Sequence, residues 1–236
     1  MNIDFKEGKP FVESVCLDEI INFQPTPFYL YSQKKIYETF TELKSALNTE
    51  IFFAVKSNSN QAILRIMKNC GCGADTVSSG EIERSLAAGF NPNKIIFEGI
   101  GKTKDDINYA INNNIKLINI ESFNEINLIN QIGKDLDKVI DVGVRLNPDI
   151  DAETLNKIST GKKTDKFGIN INQLDNIISL IKASNYINLI SISCHIGSQI
   201  NNLNIFNNLF TKMKKTAEIF LSKNIKIQYV DLGGGL

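Results

Sequence analysis

The sequence predicts an α/β protein built on a parallel sheet, either a TIM-type (β/α)8 barrel or an open doubly wound sheet. Three observations carry this. Seven short apolar, β-branched runs recur along the chain, and the first four begin about 22 residues apart, the length of one strand–helix unit. The segments between the runs are amphipathic and open with helix-start signals. Hydrophobicity inside the runs is continuous rather than alternating, as in parallel strands covered on both faces.

Taken in order, residues 1–32 form a lead-in of different character. Pro25-Thr26-Pro27 precedes Phe28-Tyr29-Leu30-Tyr31, an aromatic strand candidate, and Ser32 then caps a helix expected to run through Ala46. Residues 33–236 hold the repeated units, with strand runs at 51–56, 74–78, 94–100, 116–121, 139–146, 189–195 and 227–232. Ser78-Ser79-Gly80-Glu81, Thr103-Lys104-Asp105-Asp106 and Ser122-Phe123-Asn124-Glu125 each place a hydroxyl three residues before an acid. That spacing satisfies orphan amides reciprocally at a helix N-terminus, with Asp106 a weaker match than the two glutamates. In the long segment from Ile205, residues Phe206, Leu209, Phe210, Met213, Ala217, Phe220 and Leu221 share one face, which is expected to pack on the sheet. A barrel needs an eighth strand and its helix, and the sequence ends at Asp231-Leu232-Gly233-Gly234-Gly235-Leu236, directly after the seventh run.

Composition narrows the function classes. The 236 residues include 26 basic and 26 acidic side chains, so no electrostatic footprint argues for nucleic acid or an anionic membrane. The N-terminus mixes charges and lacks an apolar leader, and no later run approaches membrane-spanning length. A cytoplasmic protein is expected. Cys16, Cys70, Cys72 and Cys194 lack metal-ligand spacing, and the single histidine, His195, has only Cys194 beside it, so the cysteines read as reduced structural residues and no metal is expected.

In a barrel the chemistry sits at the C-terminal ends of strands, where the loops share one face, and the unusual residues fall there. Lys56 ends the apolar run Ile51-Phe52-Phe53-Ala54-Val55, read as a buried strand whose terminal amine must reach water or be used. Asp75 lies in the second run, Arg145 closes the fifth, His195 closes the sixth before Gly197 and Ser198, and Gly233, Gly234 and Gly235 close the seventh. Backbone amides of glycines and a serine after strands suit a phosphate. An imidazole can stack on a heteroaromatic ring, an arginine can bond a phenolate-like oxygen, and a lysine can condense with an aldehyde. Together these describe pyridoxal phosphate. Gly101-Lys102-Thr103 looks like the tail of a P-loop, but that pattern needs glycine where Ile96 stands, so Thr103 is a helix cap.

Six segments carry a family resemblance: residues 53–60 around Lys56, Gly73-Ala74-Asp75-Thr76-Val77-Ser78-Ser79-Gly80-Glu81, Arg145-Leu146-Asn147-Pro148-Asp149, Ser159-Thr160-Gly161 through Lys166-Phe167-Gly168-Ile169, Cys194-His195-Ile196-Gly197-Ser198-Gln199-Ile200 and Asp231-Leu232-Gly233-Gly234-Gly235. In order and as a set they resemble the diaminopimelate decarboxylases, fold type III, alanine-racemase-like pyridoxal-phosphate enzymes, from about Pro25 to the last residue. The resemblance implies a TIM-type barrel incomplete at its C-terminal end, with about seven βα units. It implies decarboxylation of meso-2,6-diaminopimelate to L-lysine. Lys56 would be the Schiff-base lysine, His195 would stack on the cofactor ring, and Ser198 with Gly233, Gly234 and Gly235 would hold the phosphate. Arg145 would lie near the ring's hydroxyl side and Asp75 would support the lysine or histidine. A small amino-acid substrate and a homodimer go with the family.

The family's Glu-Pro-Gly-Arg segment and its C-terminal β-domain are absent from residues 1–236, and the strand near Phe28 to Tyr31 would join that domain. The chain as given is therefore expected to be an N-terminal fragment without decarboxylase activity by itself. Two alternatives share the barrel: a non-catalytic pyridoxal-phosphate carrier, and an ornithine, arginine or carboxynorspermidine decarboxylase.

Overall fold

The computed structural model describes residues 3–150 and 167–235. The Ser159-Thr160-Gly161 and Lys166 part of the sequence motif lies outside them.

Three short antiparallel strands open the chain, β1 (Asp4–Lys6), β2 (Lys9–Val12) and β3 (Val15–Cys16), followed by α1 (Leu17–Phe23). Glu7 and Gly8 both take positive φ, 52° and 79°, which is the backbone twist a two-residue hairpin needs. The strand expected at residues 28–31 does not form. A strand exists only where a neighbour pairs with it, and among the described residues this stretch has no ladder partner. Helix α2 (Gln33–Leu47) starts where the sequence places it, with the Ser32 hydroxyl accepting from the Lys35 amide, and ends at Asn48 in the left-handed region.

Repeated units follow: β4 (Phe52–Ala54), α3 (Gln61–Asn69), β5 (Gly73–Thr76), α4 (Ser79–Ala87), β6 (Ile95–Phe97), α5 (Lys104–Asn112), β7 (Leu117–Ile120), α6 (Phe123–Asp135) and β8 (Ile140–Asn147). After them come a two-residue strand β9 (Ile169–Asn170), α7 (Leu174–Ala183), β10 (Ile187–Ser193), α8 (Leu203–Ser222) and β11 (Tyr229–Asp231). The sheet runs β4-β5-β6-β7-β8-β10-β11, every neighbour parallel, while β9 extends the ladder past the end of β8 through Leu146↔Ile169. Spatial order equals chain order. A doubly wound sheet would reverse direction at a switch point, so this order selects the barrel. Among the described residues no ladder joins β11 to β4, and the fold is an incomplete TIM-type barrel.

The two end strands nonetheless approach one another at the N-terminal rim. Lys116, just before β7, stands 4.2 Å from the ring centre of Tyr229 on β11 and 3.9 Å from Glu50, just before β4. Lys94 also pairs with Glu50. One carboxylate and two lysines thus draw the curl together below the lumen.

Strands β6, β7, β8 and β10 are buried almost throughout, as continuous hydrophobicity predicts. The end strands are not: β4 is half-buried and β11 largely exposed, because among the described residues each has a neighbour on one side only. The two faces of a strand differ in content. On β8, Ile140, Val142, Val144 and Leu146 join the apolar cluster that the helices cover, while Asp141, Gly143, Arg145 and Asn147 alternate with them on the opposite face. On α8, Leu209, Met213 and Phe220 are buried as expected, but Phe210 and Leu221 of the same predicted stripe are exposed beside the outer strand β11.

Candidate active site at the C-terminal rim

The three hydroxyl-to-acid signals all cap helices that start directly after strands. Ser78, Thr103 and Ser122 each accept from the amide three residues on. Only Thr103 and Asp106, the weaker sequence match, close the reciprocal box. Glu81 and Glu125 instead reach one residue further back, to the amides of Val77 and Glu121 at 2.9 and 2.7 Å. Each acid thereby fixes the strand end that feeds the rim.

Lys56 departs from the sequence reading in detail. The strand ends at Ala54, and Val55–Ser57 form a single 3-10 turn closed by the Ser57 hydroxyl on the Ala54 carbonyl at 2.7 Å. The lysine is exposed on that turn rather than buried at a strand end, because β4 is an outer strand. Its loop is braced from α4: Arg84 donates twice to the Ser59 carbonyl, at 2.9 and 2.7 Å, and Gln61 returns a bond to the Arg84 carbonyl at 2.9 Å.

His195 follows β10 and is half-buried. Its Nδ1 accepts from the Gly234 amide at 3.4 Å, and the two glycine turns pack against each other. A Cβ on Gly233 would meet the Cys194 carbonyl at 2.7 Å and His195 Nδ1 at 2.8 Å, and one on Gly235 would meet the Gly197 carbonyl at 2.5 Å. Gly233 and Gly235 also hold φ of 68° and 105°, conformations that favour glycine. The Ile200 amide donates to the Gly235 carbonyl at 2.8 Å, tying the turn that carries exposed Ser198 to the triple glycine. Asp231 closes this turn by accepting from the Gly233 amide at 2.8 Å.

Arg145 is buried and its Nη1 lies 3.0 Å from Glu121 Oε1. Between it and Lys56, along the sheet, lie polar residues the sequence reading did not single out: Glu98, Asn119 and Glu121, with Ser193 and Asp231 beyond Arg145. Asn119 donates to Glu98, and its Oδ1 fills the space a Cβ on Gly143 would need, 1.7 Å away. In register, Asn119 pairs with Gly143, and Ser193 stands between Arg145 and Asp231. A signal for the missed residues was present: Glu98 and Glu121 each stand directly after a strand, like the residues that were singled out.

The electrostatics follow from shielding. Burial raises Glu98 to about 8, with Asp75 and Asp231 adding repulsion, and burial with Asp231 raises Asp75 to about 7. Asp231 is raised as well, by burial. Burial pushes His195 down to about 4, and the positive charges of Arg145 and Lys56 push the same way, leaving a neutral imidazole near neutral pH. The charges of Lys56 and Arg145 act on both Asp75 and His195, so the four groups lie near one another at this rim. The polar groups there suit a pyridoxal-type cofactor. Asp75 Oδ1 and Ser193 Oγ are buried with no hydrogen-bond partner among the described residues, and Gly234 has open room where its neighbours do not. Lys102, of the P-loop decoy, is buried elsewhere, 3.4 Å from Glu125 and bonded to the Gly99 carbonyl.

Residues 33–236 match the family described as "Pyridoxal-dependent decarboxylase, pyridoxal binding domain". The chain is 36% identical to the diaminopimelate decarboxylase of Pseudomonas aeruginosa over 235 residues, 98% of this chain and 57% of that protein. It is 33% identical to that of Aquifex aeolicus, over 99% of this chain and 56% of the relative. Among solved structures, the Helicobacter pylori diaminopimelate decarboxylase complexed with L-lysine superposes with a TM-score of 0.88 at 36% identity, covering 93% of this chain and 57% of the other. The chain thus spans somewhat over half the length of the relatives it matches.

Proposed function

Since the chain belongs to the pyridoxal-dependent decarboxylases, residues 33–236 being the pyridoxal-binding domain, we propose that it acts on meso-2,6-diaminopimelate, releasing carbon dioxide to give L-lysine. The observation that carries this reading is the convergence on one rim of Lys56, Arg145, His195 and the paired glycine turns. Similarity to diaminopimelate decarboxylases over 98% of the chain supports the substrate class. With the reading go a cytoplasmic location and a homodimer.

Bound here, pyridoxal 5′-phosphate supplies an electron sink for the bond that breaks. Lys56 would hold it through its aldehyde, and its exposed turn leaves the amine free to give way to an incoming amino group. Neutral His195 would offer a flat apolar face to the ring, with Nδ1 held by the Gly234 amide. Ser198 and the turn of Gly233, Gly234 and Gly235 would hold the phosphate, where no side chain beyond Cα intrudes. Arg145 would face the ring's hydroxyl. Asp75, its carboxyl pushed up to about 7 by burial and by Asp231, would support the lysine or histidine and would hold a proton more readily than an exposed acid.

Borohydride reduction of the 236-residue chain with pyridoxal 5′-phosphate tests the site. A single label on Lys56 is expected, and a label on another lysine overturns the assignment. Carbon dioxide release by these residues alone is not expected. Release at the rate of a full-length relative would overturn that part of the reading, and labelling abolished by Lys56→Ala completes the control.

A further inference from the structure

The turn at Phe167 and Gly168 lies against Arg145, and the cofactor reading makes no use of it. The guanidinium carbon of Arg145 sits 4.9 Å from the centre of the Phe167 ring, so one face of the cation is covered by an aromatic surface. Its edge is met by Glu121 Oε1 at 3.0 Å. The second carboxylate oxygen, Oε2, accepts from the Gly168 amide at 3.3 Å. Gly168 has φ of 77°, and a Cβ there would meet the Arg145 carbonyl at 2.9 Å, so the turn lies directly on the strand that carries the arginine. Glu121 is itself fixed: its amide donates to Glu125, whose carboxylate pairs with buried Lys102.

An arginine side chain has several free torsions, and a contact in the guanidinium plane combined with a contact on its face removes both translation and tilt. A cation needed only for stability would be satisfied by the carboxylate alone. We infer that Glu121 and Phe167 are positioning residues that hold the Arg145 guanidinium in one orientation toward the cofactor ring, which makes the 167–168 turn a working part of the site. The inference rests on the proposal that Arg145 faces pyridoxal 5′-phosphate, and it deepens that proposal.

Two measurements on the 236-residue chain separate the inference from the reading beneath it. In the first, cofactor affinity is read from the visible absorption of bound pyridoxal 5′-phosphate. Glu121→Gln is expected to raise Kd about tenfold, the scale of a hydrogen bond to a charged group, and Phe167→Leu about threefold, the scale of a part-exposed cation–π contact. In an Arg145→Lys background, which lacks the planar fork, neither change should weaken binding further. Variants that lower Tm but bind as the parent does, or losses that add in full to Arg145→Lys, overturn the inference. In the second, the Arg145 guanidinium is followed by NMR without cofactor. Its rotation is expected to be restricted in the parent and freed in both variants, and equal restriction in all three overturns the inference. Failure of the parent chain to take up cofactor, with that restriction intact, overturns the cofactor reading and leaves the positioning arrangement standing.

Discussion

Glu121 Oε1 stands 3.0 Å from Arg145 Nη1, and neither residue is more than 8% exposed. Removing one partner strands a charge in a poorly hydrated place. Glu121→Ala should cost about 3 kcal/mol in urea denaturation, whereas the apolar pair Glu121→Leu with Arg145→Met should recover most of that loss. A double variant no more stable than the single one contradicts a buried pair.

The buried acids set how stability responds to pH. Glu98 near 8 and Asp75 near 7 keep protons that unfolded carboxylates release at about 4. Their favourable contribution is therefore full below about 4 and is lost progressively as pH rises, the loss being complete once pH has passed through 7 and 8. His195, lowered from 6.5 to about 4, acts oppositely: the unfolded imidazole binds the proton first, so its contribution grows from about 4 to 6.5 and then levels. Above 6.5 only the acids act, and Tm of the cofactor-free chain should fall from pH 6.5 to about 8.5. Glu98→Gln should flatten that slope, and a rising or level Tm in the parent contradicts the assignment.

Gly143 is required by its neighbour rather than by its own torsions. Gly143→Ala drives a methyl into the Asn119 amide, 1.7 Å from Oδ1, and breaks the bond to Glu98. A loss of about 2 kcal/mol is expected, in the range of overpacked interiors. Adding Asn119→Ala should return a good part of it in thermal melts.

Arg84 braces the lysine loop from outside. Arg84→Met frees the Ser59 carbonyl and should cost about 1 kcal/mol or less, since the bond is exposed. The sharper readout is hydrogen exchange of the amides of residues 57–60, which should quicken while the central strands stay protected.

The thiols give a solution check on packing. Burial raises Cys72 to about 12 and raises Cys194 and Cys70 as well, and Cys16 is also buried. The folded chain should resist a thiol-directed disulfide reagent at pH 8, with half-buried Cys70 first to react, and all four should react in urea.

Central strands and caps were legible because their residues carry their own reasons: β6 and β7 are short apolar runs, and Ser32, Ser78, Thr103 and Ser122 sit where a helix needs an acceptor. Lys56, Arg145 and His195 could be singled out because a polar residue closing an apolar run is conspicuous, and Asp75 because an acid inside such a run is. Asn119 could not. It lies inside a run that reads as uniformly strand-forming, and its use depends on Gly143 across the ladder, a pairing local sequence does not encode. The hairpin of residues 4–12 was missed because its strands are short and mostly exposed, and the strand expected at 28–31 was misjudged because aromatic content alone supplies no partner. The partly exposed stripe on α8 has the same origin: an apolar face predicts burial, but among the described residues β11 is the outer strand and leaves Phe210 and Leu221 uncovered.

Strand β8 is a ribbon that carries two texts in alternating letters. Ile140, Val142, Val144 and Leu146 are addressed to the helices, and Asp141, Gly143, Arg145 and Asn147 to whatever enters the barrel. A change on one face leaves the contacts of the other in place, although the inner face carries packing of its own where Gly143 meets Asn119 and Arg145 meets Glu121. The same arrangement leaves no tolerance for a one-residue slip, which would exchange the two readings along the whole strand at once.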